Sequence, residues 1–215
     1  MIADAMDLPS LIHWKATCRT AYAQAVSSQR RSLSRLIAPF VPNPHILIDL
    51  LPQFRAFLGG EVALAFLLRD PNFHPTAIDI FCNIFQFDTL CSALLHHSTL
   101  RTLIEHHEIV NHPSSFFSPR EVVQYLHIRF VNGRSIYVHR STSISASSPV
   151  IRAPNTGLMN YVTPYGFASA YPVLTLDRKA IISDLTLATM TTRDQAMVDN
   201  MLRAGFSLAV SPCAW

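Results

Sequence analysis

The run Leu58-Gly59-Gly60, followed by Glu61 to Leu68 and then by Ala77 to Cys82, constrains this chain more than any other feature. Arg55-Ala56-Phe57-Leu58 reads as a short strand entering the glycine pair. Glu61 to Leu68 has the length and composition of a buried helix, ended by Asp70-Pro71-Asn72. Ala77 to Cys82 reads as a buried strand. A strand that turns through two glycines into a helix and returns as a strand needs a sheet with that helix packed on it. Such a corner is also an anion site, because glycines let the backbone approach closely and the first helical amides point outward. Gly59, Gly60 and Asp79 are therefore the candidate nucleotide- or phosphate-binding residues. Asp79 is also the candidate ligand for a divalent metal that bridges phosphates. The plainer alternative is a tight turn, with Asp79 capping a helix or pairing with Arg55 or Arg69, since a buried acid needs a partner.

Around this unit, residues 7–38 read as helical, with Asp7 capping a first helix and a second helix running to about Ile37. Pro39, Pro42 and Pro44 break the pattern, which divides the chain into a helical appendage over 1–40 and a main domain over 45–215. His45 to Leu51 and Phe87 to Leu95 read as helices. Glu121 to Val131 and Ser135 to His139 flank Asn132-Gly133, a strong short-range signal for a hairpin. Residues 141–149 are Ser-rich and read as a loop, Leu158 to Val162 as a short helix, and Tyr165 to Val173 as extended. Arg193 to Arg203 reads as the last helix, with Gly205 as its stop. This order of helices, strands and hairpin is that of an α+β or α/β chain.

Charged residues make up 14% of the chain and hydrophobic ones 49%, which excludes a disordered protein. So few charges predict that part of the surface is covered by a protein partner or by a second copy. The net charge of +3 is scattered rather than gathered into a stripe, so nucleic acid is not expected as a partner. Cys18, Cys82, Cys91 and Cys213 match no zinc-ribbon spacing, and the first three sit in apolar surroundings as reduced thiols. The first seven residues carry two acids and no basic run, unlike a signal peptide. The longest apolar stretch, Phe57 to Leu68, is about twelve residues and falls short of the roughly eighteen needed to span a bilayer. The expectation is a soluble intracellular protein, cytoplasmic or nuclear, with no membrane association.

The glycine corner and the acid after it resemble the nucleotidyltransferase fold. That family's signature is a hydrophobic residue with Gly-Gly or Gly-Ser, then a strand reading acid-hydrophobic-acid, then a third acid on a later strand. Gly59-Gly60 matches the first element and Asp79 the second acid of the pair. The chain resembles in particular a group of fungal proteins in which an F-box-like N-terminus precedes a nucleotidyltransferase-like domain. Ser147-Ser148-Pro149, Met159-Asn160, Tyr171-Pro172-Val173-Leu174-Thr175 and Arg203-Ala204-Gly205-Phe206 extend the likeness over most of the chain. The resemblance implies an α+β fold: a mixed sheet of the nucleotidyltransferase type flanked by helices, with an N-terminal helical hairpin. Asp7-Leu8-Pro9-Ser10-Leu11 with Ala16-Thr17-Cys18-Arg19 resembles the second half of an F-box, truncated of its first helix. That part implies the adaptor subunit of a ubiquitin ligase as a partner.

Departures from the signature decide the functional expectation. The first acid falls on Ala77, and Tyr137 occupies the place of the third. Two-metal phosphoryl transfer needs enough negative charge to hold two cations, and Asp79 alone does not supply it. The expected protein is a non-catalytic interaction or adaptor module with no assigned catalytic residue and no cofactor. Magnesium enters only if the pocket at Gly59, Gly60 and Asp79 retains a nucleotide or phosphate. Two alternatives stand beside it. One is an active magnesium-dependent nucleotidyltransferase that recruits Glu61 or Asp88 as a replacement carboxylate. The other is a metal protein using His96, His97, Glu105, His106, His107, Glu108 and His112, with Glu108 and His112 one turn apart if the segment is helical. No GxSxG, P-loop or dinucleotide-binding pattern is present.

Overall fold

The computed structural model describes residues 2–111, 121–183, 187–188, 190–211 and 213. Helices α1 (Ile2–Ala5), α2 (Leu8–Lys15), α3 (Arg19–Ile37) and α4 (His45–Gln53) precede strand β1 (Phe57–Gly59) and helix α5 (Gly60–Leu68). Strand β2 (Ala77–Cys82), helices α6 (Phe87–His96) and α7 (Ser98–Arg101), and strands β3 (Ile104–Asn111), β4 (Val122–Phe130) and β5 (Ser135–Ser141) follow. Helix α8 (Ser148–Ile151), strands β6 (Asn160–Val162) and β7 (Phe167–Ser169), helix α9 (Pro172–Leu176), strand β8 (Lys179–Ile181), helix α10 (Thr192–Arg203) and strand β9 (Ser207–Ala209) complete the described elements.

The fold is α+β. Seven strands form one sheet in the order β3-β4-β5-β2-β1-β6-β7, and β8 pairs with β9 separately. The large sheet is mixed, because β2 and β5 run parallel while its other pairings are antiparallel. Alternation along β2 explains why every one of its residues is buried. Ile78, Ile80 and Cys82 enter one apolar cluster with Leu58, Ile136 and Val138 and with side chains of α3 to α6. Phe81 enters a second cluster with Phe57, Val150, Met197 and Met201. The centre of the sheet is thus covered on both faces, which requires the continuous apolar run seen in the sequence.

Asp7 caps α2 by accepting from the Ser10 amide at 2.8 Å, and α2 lies against α3. Leu33 and Ile37 of α3, together with Phe40 and Val41, belong to the same cluster as the sheet, so the proline-rich segment after α3 does not interrupt the core. The β4–β5 turn forms around Asn132-Gly133, with Gly133 at a left-handed φ of 76° and the Asn132 amide donating to the Pro39 carbonyl. No helix of the described residues is long and apolar enough to cross a membrane.

Three segments differ from their sequence reading. Residues 158–162 end a 3-10 turn at Leu158 and then form β6, which pairs with β1 through Val162 and Leu58. A short apolar run has no periodicity of its own, and the sheet edge decided its conformation. The stretch 165–173 is extended only over β7, because Pro172 starts α9 with its preset φ. The Ser-rich segment 141–149 begins within β5 and ends within α8.

Candidate functional site

Asp79 stands on β2, opposite Gly59 of β1 and beside Tyr137 of β5 in the strand register. Period-two alternation puts Asp79, Tyr137 and His139 on the same face of the sheet. The glycine corner and the acid meet: a Cβ on Gly60 would stand 2.6 Å from Asp79 Oδ2, and Gly60 has a left-handed φ of 56°. A Cβ on Gly59 would stand 2.5 Å from the Phe81 ring. Both glycines are therefore demanded by close approach. Asp79's own carboxylate lies against the first residue of α5, where the positive helix end favours an anion.

Asp79 does not pair with Arg55 or Arg69. Its partners are His139 and Arg193 of α10, whose Nη2 lies 2.5 Å from Oδ1. His139 Nε2 donates to the same oxygen at 2.7 Å, since an ionised carboxylate only accepts. The Asp79 side chain is 2% exposed and that of Arg193 is 25% exposed. Burial alone would raise the Asp79 carboxyl, but the Arg193 charge and the His139 hydrogen bond hold it well below the usual carboxylate range. Burial pushes His139 below its ordinary value, so it is a neutral donor here. The Arg193 guanidinium also lies 3.6 Å from the centroid of the Tyr137 ring, a cation–π contact, and the Tyr137 ring stacks on His127 with centroids 4.5 Å apart. Thus Tyr137 fills the register position of the third acid, and a fixed cation lies over it and against Asp79.

The replacement carboxylates are engaged elsewhere. Glu61 is buried in the first turn of α5 and accepts from the Thr76 amide and hydroxyl and from Asn200 Nδ2. Burial, with a further push from the nearby Asp79 charge, raises its carboxyl. Asp88 opens α6, beyond the C-terminal end of β2, and is largely exposed, 3.8 Å from Arg140. The histidine and glutamate cluster is not on a helix: residues 104–111 form the exposed edge strand β3, and His112 lies outside the described residues. Glu105 pairs with Arg129, and Glu108 with His127, in each case to β4. Among the described residues no group of three or more His, Cys, Asp or Glu side chains is placed to hold a metal ion.

Sequence reasoning named Gly59, Gly60, Asp79 and Tyr137 but missed His139 and Arg193. Alternation from Tyr137 would have placed His139 beside Asp79. Nothing in the sequence ties Arg193 to an acid so far upstream.

No family model and no curated protein matches the chain. Among solved structures it is similar to a CCA-adding enzyme in its apo form I, with a TM-score of 0.48 and 14% identity. That similarity covers 82% of this chain and 42% of the CCA-adding enzyme, so the chain spans less than half of that protein's length.

Proposed function

We propose that this protein is a nucleotidyltransferase-like domain without metal-dependent catalysis, acting as a non-catalytic interaction module. The observation that carries the reading is the closed ion pair of Asp79 with Arg193. A carboxylate that binds magnesium must offer its lone pairs to the ion, whereas Oδ1 of Asp79 is taken by a guanidinium and an imidazole. A cation fixed at that place also repels an incoming metal. With alanine at position 77 and tyrosine at 137, neither of these positions supplies a second carboxylate, and Glu108, which shares this face two strands beyond Tyr137, is paired with His127. On this reading Gly59 and Gly60 serve the packing of β1 and α5 rather than a nucleotide, and no cofactor is needed.

An interaction role is supported by apolar surface near the N-terminus. Leu8, Pro9, Ile12, Pro172 and Leu176 line an apolar groove of about 80 Å³, and Val173 beside it is 70% exposed. A protein, either the ubiquitin-ligase adaptor implied by the F-box-like segment or a second copy, would cover it. Calorimetric titration with ATP and magnesium tests the loss of catalysis in wild type and Asp79→Ala. No magnesium-dependent heat in either is expected. Magnesium-dependent binding that Asp79→Ala removes would overturn the reading. Light scattering over a concentration series separates the partners, since rising mass marks self-association.

A further inference from the structure

A cavity of about 360 Å³ opens between the segment before β2, the β4–β5 turn and the C-terminal half of α10. His74, Thr76, Arg134, Asn200 and Arg203 line it, with Phe73 behind them. Its volume suits a small molecule rather than a folded partner, since ligand clefts start at about 300 Å³. Gly59, Gly60 and Asp79 take no part in its wall.

The polar groups of this wall are held in place from behind. Arg134 Nη1 donates to the Pro75 carbonyl at 3.4 Å, and the guanidinium lies 5.4 Å from the Phe40 ring centroid. Asn200 Nδ2 donates to Glu61 Oε1 at 2.8 Å and to the His74 carbonyl at 3.1 Å, which leaves its own carbonyl oxygen for a ligand hydroxyl. No carboxylate lines the cavity. The nearby acids are spent, Glu61 on Thr76 and Asn200, and Asp70 on Arg178 at 2.7 Å. Among the described residues neither Arg134 nor Arg203 pairs with a carboxylate. Two guanidinium groups facing one space repel each other until an anion lies between them. Their planar forks match phosphate oxygens two at a time.

We propose that this cavity binds a phosphate-bearing small molecule, gripped by Arg134 and Arg203 and independent of any metal. The test is calorimetric titration of the full chain with inorganic pyrophosphate in the presence of a chelator. Wild type is compared with Arg203→Gln, Arg134→Gln and the control Arg30→Gln on the exposed side of α3. Saturable binding is expected, weakened about tenfold or more by each cavity variant and unchanged by the control, as the loss of a charge-assisted hydrogen bond predicts. Arg203 is exposed, so its variant keeps the wild-type melting temperature even if Arg134→Gln does not. Absence of saturable binding at millimolar pyrophosphate overturns the proposal. So does binding that requires magnesium, or equal weakening by Arg203→Gln and Arg30→Gln.

Discussion

Replacing Arg193 with methionine leaves the Asp79 charge buried without its cation. At a separation of 2.5 Å, Coulomb's law with an effective dielectric of about 20 gives about 7 kcal/mol of attraction. Desolvation of the two ions offsets several kcal/mol of this, and the quarter exposure of Arg193 screens it further. Removing one partner of such a pair costs about 3–5 kcal/mol, because the other charge stays buried. Against a total stability of about 5–15 kcal/mol, Arg193→Met should unfold a measurable fraction of the protein at room temperature. Asp79→Asn in the same chain removes the stranded charge, so the double variant should recover much of the loss. Urea unfolding followed by far-ultraviolet circular dichroism measures all four proteins of the cycle. A coupling of about 2 kcal/mol or more between the positions is expected, and one below about 0.5 kcal/mol would refute the reasoning. The pH dependence has a defined sign. The folded Asp79 carboxyl is held below its unfolded value, so its contribution is complete above about pH 4 and fades as the pH falls further. In Arg193→Met that acid-side loss should shrink.

Other predictions rest on separate features. His139 is held neutral by burial, so its contribution is present above about pH 6.5 and stability should decline as the pH drops below that value, seen in melting temperatures across a pH series. Gly60→Ala meets both the left-handed φ and the Asp79 carboxylate and should cost about 2 kcal/mol or more. Gly166→Ala, with nothing within 4 Å of the new Cβ, should stay within about 0.5 kcal/mol of wild type in the same urea assay. Cys82 is buried with its thiol pushed up to about 12, and burial raises Cys91 as well, whereas Cys18 and Cys213 are exposed. A thiol reagent such as DTNB should therefore titrate two cysteines quickly in native protein and the other two only on unfolding. Thr191→Ala breaks the reciprocal cap of α10 and should cost about 1 kcal/mol in the urea assay.

Much of this architecture was legible because local chemistry and burial agree. The apolar run after Gly59-Gly60 is α5, and Asn132-Gly133 joins β4 to β5. Legibility failed where the sheet imposes a conformation that side chains do not announce. Strand β3 is exposed along most of its length, so its Glu and His residues show no inward alternation and look like a solvated helix end. Strand β6 is three residues long, too short for a period to appear. At the candidate site the glycines and the acid were readable from spacing, and Tyr137 from the family pattern. The cation that closes the site was not, because the Asp79–Arg193 pair joins residues 114 positions apart and depends on how α10 settles on the sheet.

That separation has a consequence for the order of assembly. The segments that build the middle of the sheet leave the ribosome well before Arg193 does. Until the segment bearing Arg193 emerges, a nascent chain with its central strands paired would hold a carboxylate away from water without a counterion, and the cheapest remedy is to leave that centre loose or protonated. Docking of the late helix then acts as a latch on the whole sheet. A ribosome stalled just before codon 193 should therefore display a protease-sensitive chain, and one stalled after α10 has cleared the exit tunnel a resistant one.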